Sequence, residues 1–246
     1  MRDIDIVTDM MTSSEGESEG FAVEMEEEAS RHIFPIHFYE KHLLESIRPD
    51  GRHLSHARHT TVAFGPVSTA DGSALVKIGD TTMLAVIKLE VMTPFADTPD
   101  EGTIAVEFIM PPICSPLVRP GRPIEVATVI SKQLSDAIKS SGMLNYKELS
   151  LVSEKAAWMA YLDIYCLNAD GSLFDAADPT AEEEFIMDTV ITLVLNSSGQ
   201  LVSMYKPGGS VVAHISTFQD CFVLAKHRAK ELMGIMNDAM QLMEED

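Results

Sequence analysis

ADGSALVKIGDTTMLAVIKLEV, residues 70–91, decides the fold class. Gly79-Asp80 is a tight turn between two apolar, β-branched runs, Ala74–Ile78 and Thr81–Val91. Ala70-Asp71-Gly72-Ser73 is a second turn, ahead of the first run. On the amino-terminal side, Thr60–Val67 alternates apolar and polar residues, as a half-buried strand does. On the other side, Thr103–Met110 (TIAVEFIM) alternates again and stops at Pro111-Pro112. Ala156–Leu167 (AAWMAYLDIYCL) is almost continuously apolar and aromatic, which predicts a central strand buried on both faces. Phe185–Leu195 and Leu201–Tyr205, joined by Asn196–Gln200, predict a hairpin.

Helical spacing appears between these runs. His37–Ile47 ends at Arg48-Pro49-Asp50-Gly51, which enforces a stop and a turn. Ile124–Ser140 places Val126, Val129, Ile130, Leu134, Ala137 and Ile138 on one stripe, with Pro123 at its start and Gly142 past its end. Thr217–Met243 carries Phe218, Phe222, Ala225, Ala229, Leu232, Met236 and Met240, and Ser216 with Gln219 fits a capping box. Leu173–Ala177 starts a helix that Asp178-Pro179 stops after five residues. Strands and helices together predict an α+β protein.

The chain has 246 residues, 38 acidic and 18 basic, and a net charge of −20. That balance opposes coating of nucleic acid by this chain alone, because phosphate binding depends on Lys and Arg. Ten acids against Arg2 alone fall in residues 1–30, which predicts an acidic disordered tail. Cys114, Cys166 and Cys221 lie more than 50 residues apart and form no disulfide framework, as expected in a reducing compartment. No apolar run reaches the roughly 18–20 residues that span a bilayer, and the first residues lack a signal-peptide pattern. Secreted, membrane and small disulfide-rich classes are therefore not expected.

Candidate chemistry is sparse. His53, His56 and His59 are spaced by three, which alternates faces in a turn and strand approach, so surface histidines are expected rather than a metal site. Lys206–Ser210 (KPGGS) reads either as glycine amides cradling an anion or as a plain left-handed turn. Asp178 and Glu182–Glu184 read either as carboxylates for Mg²⁺ or acid–base work, or as a solvated acidic loop. Arg119 and Arg122 flank Pro120-Gly121 and either clamp a phosphate or partner carboxylate, or form an exposed structural pair. No nucleotide-binding glycine loop, zinc-protease helix or nucleophile elbow is present.

Six segments in order resemble the RNase PH family, in the branch that builds the six-subunit ring of the RNA exosome. They are RPDGR (Arg48–Arg52), Ser68–Pro94, PPICSPLVRPGRP (Pro111–Pro123), Ala156–Gly171, DPTAEEE (Asp178–Glu184) and KPGGS. The resemblance implies an RNase PH-like (ribosomal protein S5 domain 2-like) mixed sheet with helices packed on it, running through residues 31–246. Active members are phosphate-dependent 3′→5′ exoribonucleases with a Gly-Gly-Thr-Arg-Thr type sequence after the ADG turn. Here Phe174 takes the place of the phosphate-binding arginine and Asp175 that of a threonine. An aromatic ring cannot fork to phosphate, and an added carboxylate repels it. Glu184 replaces an aspartate and moves its carboxylate by one methylene.

The resemblance thus implies a non-catalytic structural subunit, with no cofactor and no catalytic residue of its own. Its expected partners are the other RNase PH-like ring subunits and a cap subunit. RNA would be met through the assembled ring, with Arg119 and Arg122 as the contact residues, and no membrane is involved. The nucleus, including the nucleolus, and the cytoplasm are the expected compartments. The alternatives are an active phosphorolytic exoribonuclease using Asp178 and Glu184, or a defective isoform. Relatives carry a longer helix and several strands where Ala177 here joins Asp178 directly. The expected domain is therefore incomplete, internally truncated between 177 and 178.

Overall fold

The computed structural model describes residues 29–30, 33–114, 118, 125–170, 187, 189–206, 209 and 214–245. The expected tail over residues 1–30 lies almost wholly outside the described residues. The chain divides into two units, Met1–His56 and Ala57–Asp246.

In the first unit, helix α1 (Pro35–Leu44) opens with proline in its first turn. Phe38 and Tyr39 are buried and meet edge to face at 5.4 Å. The helix ends three residues before the expected Ile47, which instead bridges to His53 across a turn. Asp50 forms that turn: its carboxylate accepts from the Arg52 backbone N–H at 3.1 Å and from Arg52 Nε at 2.6 Å. Burial raises the Asp50 pKa, but the bonds from Arg52 and the charges of Arg52 and Arg48 outweigh it and hold the carboxyl below its usual range. Gly51 sits at φ +81°, where a side chain would be strained.

The second unit is built on a six-stranded sheet. Its strands are β1 (Thr60–Phe64), β2 (Gly72–Ile78), β3 (Thr81–Met92), β4 (Thr103–Ile109), β5 (Ser150–Val152) and β6 (Ala156–Asn168). The order is β1-β2-β3-β6-β4, with β5 pairing onto β6. Neighbours are antiparallel except β4 and β6, which run parallel, so the sheet is mixed. Helix α2 (Glu125–Ser141) packs on β4. Helix α3 (Ile215–Glu245) packs on β1 and on β7 (Thr192–Leu195), which pairs with β8 (Leu201–Tyr205) in a separate hairpin. The α+β expectation is met. The core lies under α2, where Phe108, Cys114, Val118, Ile130 and Cys166 are buried against Met83, Leu134 and Ile164.

Three expectations are revised. The strand expected over Phe185–Leu195 begins only at Thr192 among the described residues. The final helix starts at Ile215, one residue before the Ser216 expected to cap it, so that serine lies inside the first turn. Strand β6 is central, yet only Ala157, Ala160 and Cys166 along it are buried. The far half of its neighbour β3 is bare, with Ile87, Leu89 and Val91 at 37%, 39% and 61% exposure. The apolar length of β6 predicts cover on two faces, and the described helices supply it mainly around α2.

Candidate functional site

A largely buried polar cluster gathers where β6 ends. Asp170 follows the strand, and Arg58 precedes β1. Arg58 Nη1 donates to Asp170 Oδ2 at 2.8 Å, and Nη2 donates to the Asp170 carbonyl at 2.6 Å. Thr81 Oγ1 donates to the same carbonyl at 3.0 Å and accepts from the Asp170 backbone N–H at 3.2 Å. On the other side, Thr60 Oγ1 donates to the Arg58 carbonyl and accepts from Arg228 of α3 at 2.5 Å. Arg228 also pairs with Glu231 at 2.9 Å. Arg58, Thr60, Thr81 and Arg228 are all buried. The cluster therefore ties β1, the β2–β3 turn, the end of β6 and the final helix at one point. Each cation has a carboxylate partner, as burial of charge requires.

Gly79 makes the cluster fit. It adopts φ +56°, and a Cβ there would lie 2.5 Å from Arg58 Cδ. The Gly79-Asp80 turn thus serves both the hairpin and the seat of the arginine. The turn was legible in the sequence. Arg58 and Asp170 were not singled out, because a lone arginine before a strand and an aspartate in a turn carry no spacing signal.

The residues that the sequence did single out are placed unevenly. Arg119, Arg122, Phe174, Asp175, Asp178 and Glu182–Glu184 lie outside the described residues. Of KPGGS, Lys206 Nζ donates to the Gly209 carbonyl at 3.2 Å, and Gly209 takes φ +95°. His53 and His56 approach with ring centroids 6.3 Å apart. Among the described residues no three His, Cys, Asp or Glu side chains gather as a metal site. Cys114 and Cys166, 52 positions apart in sequence, meet in the core as free thiols. Burial pushes the Cys166 thiol up to about 12, and the neighbouring Cys114 adds to the rise.

An open cleft of about 520 Å³ runs along β4, the edge strand, against α2. Glu107 and Asp163, paired in register across β4 and β6, are the charged groups in its lining, beside Tyr161, Thr128 and Ser131. Two carboxylates repel an anion, so this cleft does not suit inorganic phosphate. Ser131 closes part of the strand edge by accepting from the Phe108 N–H at 2.8 Å. No described helix is long and apolar enough to cross a membrane.

Comparison with known proteins matches this architecture. Residues 56–178 match the model of the 3′ exoribonuclease family, domain 1, and residues 176–228 match domain 2 of the same family. The chain is 29% identical to the exosome complex component rrp43 of Schizosaccharomyces pombe, over 77% of this chain and 91% of that protein. It is also 29% identical to the exosome complex component Rrp42 of Methanopyrus kandleri, over 75% of this chain and 89% of that protein. In fold it is similar to a chain of the Archaeoglobus fulgidus exosome solved with RNA bound to the active site. There the TM-score is 0.75 at 24% identity, over 81% of this chain and 96% of that one. The parallel β4–β6 pair, the antiparallel β1-β2-β3-β6 run and the packed helices are thus the fold of that assembly's chains, and by sequence this chain belongs to the 3′ exoribonuclease (RNase PH) family.

Proposed function

We propose that the chain is a non-catalytic structural subunit of the RNA exosome ring, supporting 3′→5′ processing and decay of ribosomal and messenger RNA. The observation that carries the reading is Phe174 at the position matching the family's phosphate-binding arginine, with Asp175 beside it. A phosphorolase must hold inorganic phosphate against the terminal phosphodiester, and an aromatic ring and a carboxylate do the opposite. The likeness to rrp43 and Rrp42 supports the exosome assignment. Related ring subunits would flank the chain, and a cap subunit would cover one face. RNA would pass through the shared channel, with Arg119 and Arg122 as this chain's contacts. The nucleus, nucleolus and cytoplasm are the compartments where such a ring works. A phosphate-dependent nucleotide-release assay on the purified protein tests the reading, with no release expected. Release that disappears in Asp178→Ala would establish the alternative, an active phosphorolytic exoribonuclease.

A second reading concerns completeness: residues 31–246 form one RNase PH-like domain that lacks a segment between Ala177 and Asp178. The alignment with rrp43 supports it. That alignment runs over 246 residues yet takes up 77% of this 246-residue chain, about 189 residues, so about 57 positions stand opposite gaps. The two family domains also abut at residues 176–178. The bare half of β3 supports it too. On this reading the chain is a defective isoform, weakened in folding or in ring entry. Co-purification with the other ring subunits at the level of the unbroken relative would overturn that.

A further inference from the structure

Strand β4 is the last strand of its sheet among the described residues, and it pairs on one side only, with β6. Successive residues of a strand turn their peptide groups to opposite sides. The Phe108 N–H donates to Ser131 Oγ of α2, so Phe108 faces away from β6. The Gly102 N–H, in the same phase, donates to the Tyr146 carbonyl at 2.9 Å. Ile104 and Val106 lie between these two and share their phase, so their N–H and C=O groups also point away from β6. Neither residue makes a hydrogen bond on that side among the described residues. The two ends of the edge are closed and its middle is open.

The cleft between β4 and α2 runs along this open stretch, with Val106 and Phe108 in its lining. An unpaired strand edge is a template for another strand. A helix cannot use it, because its own N–H and C=O groups are spent internally. On the sheet face beside the edge, Glu107 is exposed and Asp163 half-buried. The two are partners in register, and neither holds an ion pair among the described residues. Lys88 on β3 shares that face but stands opposite Tyr161, and Lys132 on α2 is outside the cleft lining.

We propose that β4 receives an extended strand of a partner protein along Val106 and Phe108, and that this strand carries lysine or arginine on the face of Glu107 and Asp163. Val106 supplies an N–H and a C=O to it, and Phe108 supplies a C=O. Those bonds give the affinity, and the two carboxylates select the cation opposite them. The inference stands on the sheet edge, and it holds whether or not the chain enters the ring.

The test titrates the full-length chain with a short fluorescent peptide of alternating valine and lysine, read by anisotropy and by amide hydrogen exchange. Binding is expected, with slower exchange at the Val106 N–H. The same peptide N-methylated at every residue keeps its charge but loses its donors, and it should not bind. Glu107→Lys should weaken binding about threefold, because a cross-strand attraction becomes a repulsion. Glu107 is exposed, so a circular dichroism melt of the variant should match the parent. If the variant unfolds, the methylated peptide and the Val106 exchange decide alone. Equal binding of the methylated peptide, no added protection at Val106, or a Val106 amide already protected in the free chain overturns the proposal. So does protection that grows with chain concentration alone, which makes a second copy the occupant.

Discussion

At the scale of single residues, the Arg58–Asp170 cluster sets the demands. Gly79 and Gly65 both adopt positive φ, at +56° and +73°. A Cβ at Gly65 meets nothing within 4 Å, whereas one at Gly79 drives into the Arg58 side chain. Gly65→Ala should therefore cost about 1 kcal/mol of backbone strain. Gly79→Ala should cost clearly more, because the arginine must leave its carboxylate or the turn must open. Urea denaturation of the two variants checks the order, and equal costs would mean that the arginine seat does not constrain the turn. Cys166 gives a pH test. Its folded pKa is raised from 9.0 to about 12, so the native state holds the proton more tightly than the unfolded chain does. Below about pH 9 both states are protonated and nothing changes. Between about pH 9 and 12 the unfolded thiol ionises while the native one does not, and stability falls. Cys166→Ala should flatten that decline in urea melts at stepped pH, whatever it costs at neutral pH. In the native protein Cys221, partly exposed, should react with a thiol reagent before Cys114 and Cys166. The sequence placed all three cysteines but not the meeting of two, since partners so far apart come together only through the β4–β6 pairing.

At the scale of elements, strand positions were the most legible part of the sequence. Alternation and tight turns gave β1, β2, β3, β4 and β6 to within a few residues, because a period of two and a Gly-Asp turn are local properties. Burial along those elements was less legible, because it depends on what lies against them. In α2 the sequence stripe counted Val126, Val129 and Ile130 alike. In the fold Ile130 is 3% exposed, whereas Val129 is 54% exposed. Ile130→Ala should thus cost about 2–4 kcal/mol, as a cavity opens beside Phe108 and Leu134. Val129→Ala should stay within about 0.5 kcal/mol. Thermal melts of the pair measure the difference, and equal losses would mean that α2 is rotated on β4. The same reasoning separates the two halves of α3. Its stripe was read through Met236 and Met240, yet both are exposed while Leu232 and Ile235 turn inward. The pattern alone could not say which edge of the apolar arc would be covered. The candidate site was less legible still. Its main sequence signals, Arg119, Arg122 and Asp178 with Glu182–Glu184, lie outside the described residues, and the side chains that anchor the described part, Arg58 and Asp170, carry no spacing of their own.

At the scale of the whole molecule, the question is whether a sheet with a bare half can hold a single native state. Ile87, Leu89 and Val91 lie along β3 opposite Leu162, Ala160 and Trp158 of β6, so they extend one apolar surface across two central strands. Covering a few hundred Å² of such surface is worth several kcal/mol at about 25 cal/mol per Å². That sum is comparable to the total stability of an ordinary domain. A chain without the cover should therefore melt over a broad range and bind hydrophobic dyes before its main transition. Inserting the segment that matches a relative such as rrp43 between Ala177 and Asp178 should reverse both effects. The inserted chain should show a sharper transition, a higher Tm and less dye binding. It should also assemble with the neighbouring ring subunits more completely than the parent. Differential scanning calorimetry compares the two directly, because a cooperative unit gives equal calorimetric and van't Hoff enthalpies. Should the parent already give that equality and a Tm no lower than the inserted chain, the bare strands need no missing cover. The two-stranded β7–β8 sheet and the half-covered β6 would then belong to a smaller variant of the family fold.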